Sequence, residues 1–147
     1  MIKTLSGFFI IIAFIITGCI KSVPDKPPVL MAGKDACDNC FMLINENKYA
    51  ASIWLSNGEA KRFDDIGCMM NYVHQKNSNV IAYWVYDYNT GQPVRAERSF
   101  FISTDSLTTP MGSGLIAFDS MNKAASFAAR FNTNIILFSE LKSKFQK

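Results

Sequence analysis

Phe63-Asp64-Asp65-Ile66-Gly67-Cys68-Met69-Met70-Asn71-Tyr72-Val73 decides how the chain is read, because much of its pattern returns 55 positions later. Phe118-Asp119 repeats Phe63-Asp64, while Met121, Ala124, Ala125 and Ala128 fall on Ile66, Met69, Met70 and Val73. These apolar positions recur at helical spacing behind an Asp that suits an N-cap, so each copy predicts a helix, the first ending near Gln75. Downstream, the turn Asn77-Ser78-Asn79 leads into Val80–Tyr86, rich in branched and aromatic residues and predicted to be a strand. At the same offset Asn134-Ile135-Ile136-Leu137-Phe138 meets Asn79-Val80-Ile81-Ala82-Tyr83. Upstream, Tyr49–Leu55 reads as a strand, Ser56-Asn57-Gly58-Glu59 as a hairpin turn and Lys61-Arg62-Phe63 as the return strand. Ser99–Ser103 resembles Ser52–Ser56 at an offset of 47, leaving eight extra residues before the second helix. Apolar positions match easily by chance; the capping Asp and the Asn before the third strand are harder to dismiss. The expectation is an α+β fold of two tandem ββαβ units, residues 35–90 and 91–147.

Ahead of the first unit lies Asp35-Ala36-Cys37-Asp38-Asn39-Cys40-Phe41-Met42, with two thiols and a thioether within six residues. Such soft donors select copper(I); a zinc site would draw on Cys and His and make little use of Met. Cys37 and Cys40 are equally read, from spacing alone, as a redox pair or a small disulfide, and Met42 as the first core residue of a strand. In the second unit the eight extra residues fall around Thr108-Thr109-Pro110-Met111-Gly112-Ser113-Gly114. This Pro- and Gly-rich connection suits a defined turn, and its Met111 is either a ligand or a residue tucked onto the sheet.

The N-terminus points to export. Met1-Ile2-Lys3 followed by the apolar run Leu5–Ile16 reads as a signal peptide, too short to span a bilayer comfortably. Ile16-Thr17-Gly18-Cys19 resembles the bacterial lipobox, which implies removal of residues 1–18 and lipidation of Cys19. Several acyl chains on one residue would anchor the chain to a membrane. Ile20 after that Cys, rather than Asp, favours the periplasmic face of an outer membrane. Residues 19–34, with Pro24, Pro27 and Pro28, read as a semi-rigid tether. Export leaves Cys37, Cys40 and Cys68, an odd number in an oxidising compartment, which fits a metal or redox site better than a structural disulfide set.

The 147 residues carry a formal charge of +3, which without Lys3 becomes fourteen basic against twelve acidic side chains. That near balance leaves no electrostatic footprint for nucleic acid. Cys68, four residues past Asp64, either approaches the site or is a buried small residue, and the single His74 reads as a surface or helix-end residue. Met69, Met70 and Met121 fit core spacing. Asp64 and Asp65 read as a helix cap and a first-turn acid, without catalysis.

Taken together, the lipobox, Cys37-x-x-Cys40-x-Met42, Phe63-Asp64-Asp65-Ile66-Gly67-Cys68-Met69, Tyr83-Trp84-Val85-Tyr86-Asp87-Tyr88 and Thr109-Pro110-Met111-Gly112 resemble the NosL family of lipid-anchored copper(I)-binding proteins. The resemblance implies a duplicated ββαβ fold related to organomercurial lyase, and copper delivery to nitrous oxide reductase with its assembly machinery as partner. It also implies that Cys40, Met42 and the Met111 loop bind copper. The chain departs from the family at Phe41, where Gly is usual. The expected ligand set is therefore Cys37, Cys40, Met42 and Met111, in a membrane-anchored copper(I) chaperone that is not an enzyme. The rival reading is a thiol-disulfide oxidoreductase using Cys37 and Cys40; it is weakened because the pair precedes a strand and no helix start is visible beside it. A lyase-like activity would require a substrate pocket between the units.

Overall fold

β1 (Ala51–Leu55) and β2 (Ala60–Phe63) form the hairpin from which the first unit grows. Its turn closes through Leu55 N–H to Glu59 O at 2.9 Å, with Gly58 at φ +91° where a side chain would be strained. α1 (Ile66–Gln75) follows, then β3 (Val80–Tyr86), which returns beside β1, and β4 (Pro93–Arg95), which edges the sheet. All pairings are antiparallel, in the order β2-β1-β3-β4. The second unit repeats the scheme with β5 (Phe100–Ser103), β6 (Leu115–Phe118), α2 (Met121–Phe131) and β7 (Ile135–Leu137), in the order β6-β5-β7. A last helix, α3 (Phe138–Phe145), closes the fold. This computed structural model describes residues 25–146; the predicted signal peptide, Cys19 and the start of the tether lie outside them.

The architecture is the predicted α+β pair of ββαβ units, and the shared strand order is compatible with duplication. Several details differ from expectation. Tyr49 belongs to a 3-10 turn (Asn47–Tyr49), not to β1. Register sets Ala51 opposite Phe63 and Phe100 opposite Phe118, so the first strands correspond at an offset of 49 and the second hairpin is six residues longer, not eight. The α1 N-cap is Asp65, whose carboxylate accepts from Gly67 N–H at 2.6 Å, which releases Asp64 for another role. Met121 is exposed rather than core, because α2 packs through Ala124 and Ala128. β7 stops at Leu137, where the Glu140 carboxylate reaches back to Leu137 N–H at 2.7 Å and starts α3. The helix then packs Phe138 and Leu141 inward, a spacing of one turn.

One core joins the units. Phe63, Met69 and Val85 from the first pack in the same cluster as Phe101, Leu115, Phe138 and Leu141 from the second. Each such side chain contributes about 1.5–3 kcal/mol through burial. The sheets also touch directly: Asp87 and Ala117 form a parallel bridge, and Tyr88 N–H donates to Ala117 O at 2.8 Å. Ahead of the first unit, residues 26–34 lie against the sheet instead of hanging free. Lys26 O accepts from Trp54 Nε1 at 2.9 Å, Val29 O accepts from Arg62 Nε, and Leu30 packs on the core. Among the described residues no helix is long and apolar enough to cross a membrane.

Candidate metal centre

The octet folds into a tight loop whose ends pair. Ala36 bridges Leu43, Cys37 N–H donates to Met42 O at 2.8 Å, and Phe41 N–H donates to Cys37 O at 3.0 Å. Closing so short a loop requires one left-handed residue, and that residue is Phe41, at φ +63°. The departure from Gly at this position therefore keeps the turn. Phe41 is 81% exposed, so it fits the backbone but contributes nothing to packing.

The loop aims backbone donors at sulfur. The N–H groups of Asn39, Cys40 and Asp64 point at Cys37 Sγ, and that of Met42 points at Cys40 Sγ. The loop leans on the N-terminus of α1, anchored by Asp38: its N–H donates to Arg62 O and its carboxylate accepts from Arg62 N–H at 2.7 Å. A helix start thus does stand beside the pair, in space rather than in sequence. It brings Asp64 and Cys68, four residues apart across the first turn, up to the two thiols. Ligand atoms of Cys37, Cys40, Asp64 and Cys68 all lie within 4.8 Å of one another. Cys37, Asp64 and Cys68 are 1%, 2% and 3% exposed, and Cys40 is half-buried.

The thiols are free and electrostatically distinct. The Cys68 thiol donates to Cys37, and this, with the three backbone N–H groups, outweighs burial and lowers the Cys37 pKa to about 6. Burial, helped by the neighbouring Cys37 and Asp64, pushes Cys40 up to about 11. Cys68 is raised because its proton is held by Cys37 and because it is buried. Cys40 Sγ in turn lies 3.5 and 3.4 Å from the two oxygens of Asp64. Asn39 Nδ2 approaches Cys68 Sγ at 3.6 Å.

The other expected ligands lie on loops whose backbone adjoins this cluster. Met42 is exposed, directly after the left-handed turn. Met111 is also exposed, and its loop is fastened to the α1 cap: Asp65 Oδ2 accepts from Thr109 Oγ1 at 2.6 Å and from Met111 N–H at 3.2 Å. Gly67 permits this approach, since a Cβ there would stand 2.6 Å from the Ser113 Cβ. His74 is exposed near the far end of α1. Cys68 and Asp64 are the donors outside the expected ligand set, Asp64 being the expected helix cap. Their i, i+4 spacing at a helix start was the available signal, because it puts both on one edge of the first turn.

The fold is similar to the crystal structure of the copper chaperone NosL from Shewanella denitrificans, with a TM-score of 0.71, 18% identity and coverage of 80% of this chain and 96% of that one. Comparison with curated proteins gives no match. The NosL family model matches residues 28–145, which include every element of both sheets, and so the chain belongs to the NosL family.

Proposed function

We propose that the chain is a membrane-anchored copper(I) chaperone, not an enzyme, that hands its cargo to an exported copper enzyme of the nitrous oxide reductase kind. The observation that carries this reading is the convergence of three free thiols and a carboxylate, in a member of the NosL family, on an edge where two thioethers are exposed. Cys37, Cys40, Met42 and Met111 form the proposed copper-holding set, with the membrane reached through lipidated Cys19. Thiolate and thioether donors suit copper(I), and a site of low coordination lets a partner's ligands enter as the first ones leave. Exposed Phe41, Met42 and Leu43 provide an apolar contact beside the exit.

The test is competitive copper(I) titration of the reduced full-length chain against a chromophoric chelator. One ion per chain is expected, and Cys40→Ser should weaken binding by more than about 100-fold, beyond the usual cost of losing an outer-shell partner. Met111→Leu should weaken it clearly while changing stability by less than about 1.5 kcal/mol, and core Met69→Leu should leave it alone. Binding that survives Cys40→Ser, or that fails with Met69→Leu but not with Met111→Leu, overturns the ligand set.

A thiol-disulfide oxidoreductase is favoured by one observation, the low pKa of Cys37. The same sulfur is almost fully buried, so it cannot reach a protein disulfide without opening of the loop. Disulfide-reductase activity lost in Cys37→Ser would support that reading over the chaperone.

A further inference from the structure

The structure assigns a second binding site, beside α3 at the seam of the two units, for a small organic anion that carries one carboxylate on an aromatic body. It lies apart from the thiols and is independent of the copper reading.

α3 has no helical counterpart after β3 of the first unit, and it fills the space between the units incompletely. A cavity of about 550 Å³ lies between the helix, Tyr83 of β3, the 3-10 turn Ala96–Arg98 and the end of β7. That volume falls within the range of small-molecule sites. A smaller cavity of about 360 Å³ adjoins it at the C-terminal end of α1, and Tyr83 and Lys142 line both. The Cys cluster stands at the N-terminal end of α1, a helix about 15 Å long by its rise per residue.

Charge is the first argument. Arg98 and Lys142 bring two cations to the larger cavity, and among the described residues neither joins an ion pair. Its one lining carboxylate, Glu97, is already bonded to Arg95 at 3.1 Å. Glu140, at the start of α3, is bonded to Leu137 N–H. A metal ion therefore finds no thiol, imidazole or free carboxylate there, whereas an anion finds two unmatched charges.

The second argument is the aromatic floor. The Tyr83 and Phe138 rings meet edge-on at 5.0 Å, and Lys142 Nζ lies 5.4 Å from the first centroid and 5.9 Å from the second. Phe100 and the exposed Leu137 extend this wall. A bare inorganic anion would leave it unused, while an aryl group packs on it at low cost in ordering.

Tyr83 itself is the third. It is 8% exposed, yet among the described residues nothing hydrogen-bonds its hydroxyl. A polar group so deeply placed is ordinarily satisfied. Burial, helped by the Glu97 charge, raises its pKa, so the hydroxyl keeps its proton and is available as a donor. A carboxylate at this wall accepts from Tyr83 and Lys142, and its ring rests over Phe138 and Leu137.

Calorimetric titration of the full-length chain with cinnamate, repeated with uncharged cinnamyl alcohol, tests the site. One equivalent of cinnamate is expected, with the alcohol bound at least about 10-fold more weakly. Lys142→Met and Arg98→Gln should each weaken cinnamate by about 10-fold, the worth of a charge-assisted hydrogen bond. Lys144→Met, which removes the same charge from the same helix outside the cavity, should have no effect. Tyr83→Phe should weaken binding several-fold without loss of thermal stability, because the hydroxyl has no partner to lose. Equal affinity for the alcohol would reduce the cavity to an apolar hole and overturn the proposal. So would wild-type affinity in Lys142→Met, displacement of cinnamate by an equal concentration of inorganic phosphate, or the absence of saturable binding.

Discussion

The loop 37–42 and the loop 87–92 have one backbone and two chemistries. Both carry the same pair of backbone hydrogen bonds and the same left-handed fifth residue, and both lean on the first turn of the helix that follows. In the second, Asp87, Asp119 and Lys123 satisfy one another and weld β3 to the start of α2. In the first, three thiols and Asp64 meet, and among the described residues no ammonium or guanidinium ion-pairs with Asp64. The same scaffold is therefore structural in one loop and available in the other, and the difference rests on a few side chains.

That contrast predicts opposite responses to loss of a carboxylate in the metal-free protein. Asp87→Ala should be the most damaging change, costing about 3 kcal/mol, because it strands the Asp119 and Thr90 N–H donors that point at this buried carboxylate. Its pH dependence has a defined sign. Burial raises the Asp87 pKa, but the Asp119 N–H, the Thr90 donors and Lys123 outweigh it and hold the group below its ordinary 3.8. The charge contribution is then complete above the unfolded value and disappears as pH falls through the folded one. The melting-temperature gap between wild type and Asp87→Asn should stay constant near neutrality and close only below about pH 4. A gap that closes between neutral pH and mildly acidic pH would disprove this role.

Asp64→Asn should act the other way, stabilising the metal-free chain by about 1 kcal/mol, since among the described residues the hydrogen bonds reaching this buried carboxylate come only from the Cys40 thiol, a weak donor. Chemical denaturation checks this; a loss comparable to that of Asp87→Ala would erase the distinction between the two loops. The smallest effect belongs to the fifth residue. Gly91 adopts its left-handed conformation freely, whereas Phe41 does so against its Cβ. Phe41→Gly should raise stability by about 0.5 kcal/mol, the strain relieved less the extra freedom of the unfolded chain. A destabilised Phe41→Gly would mean that the exposed ring has contacts of its own.

How much of this was legible depended on whether the cause was local. The hairpin at Asn57-Gly58, helix α1 up to Gln75 and strand β3 carry their signals within a few residues, and they appear where periodicity places them. The cap at Asp65 instead of Asp64 was ambiguous, because two adjacent acids compete for one role and the Thr109 contact that settles it comes from 44 residues away. α3 was hidden because Ile135–Phe138 reads as one apolar run, although its second half turns into a helix once Glu140 caps Leu137. The Cys cluster was half visible. Cys37 and Cys40 announce themselves by spacing, but Cys68 and Asp64 join them only through tertiary packing across 24 to 31 positions. The echo at 87–92 is illegible in the sequence for a related reason: it preserves backbone bonding while replacing Cys with Asp or Thr and Phe with Gly, which leaves little identity to match.

The docked segment 26–34 has a mechanical consequence. Tension entering from the N-terminal side meets the Trp54 bond to Lys26 first, then the Arg62 bond to Val29, and then the Arg62 contact with Asp35 at 3.5 Å, all before it reaches Cys37. These attachments lie in series along the chain and yield one at a time, while Cys37 and Cys40 are held separately through Asp38 and Arg62. The segment therefore works as a strain relief, and the sulfur atoms keep their spacing while the chain ahead of them is pulled.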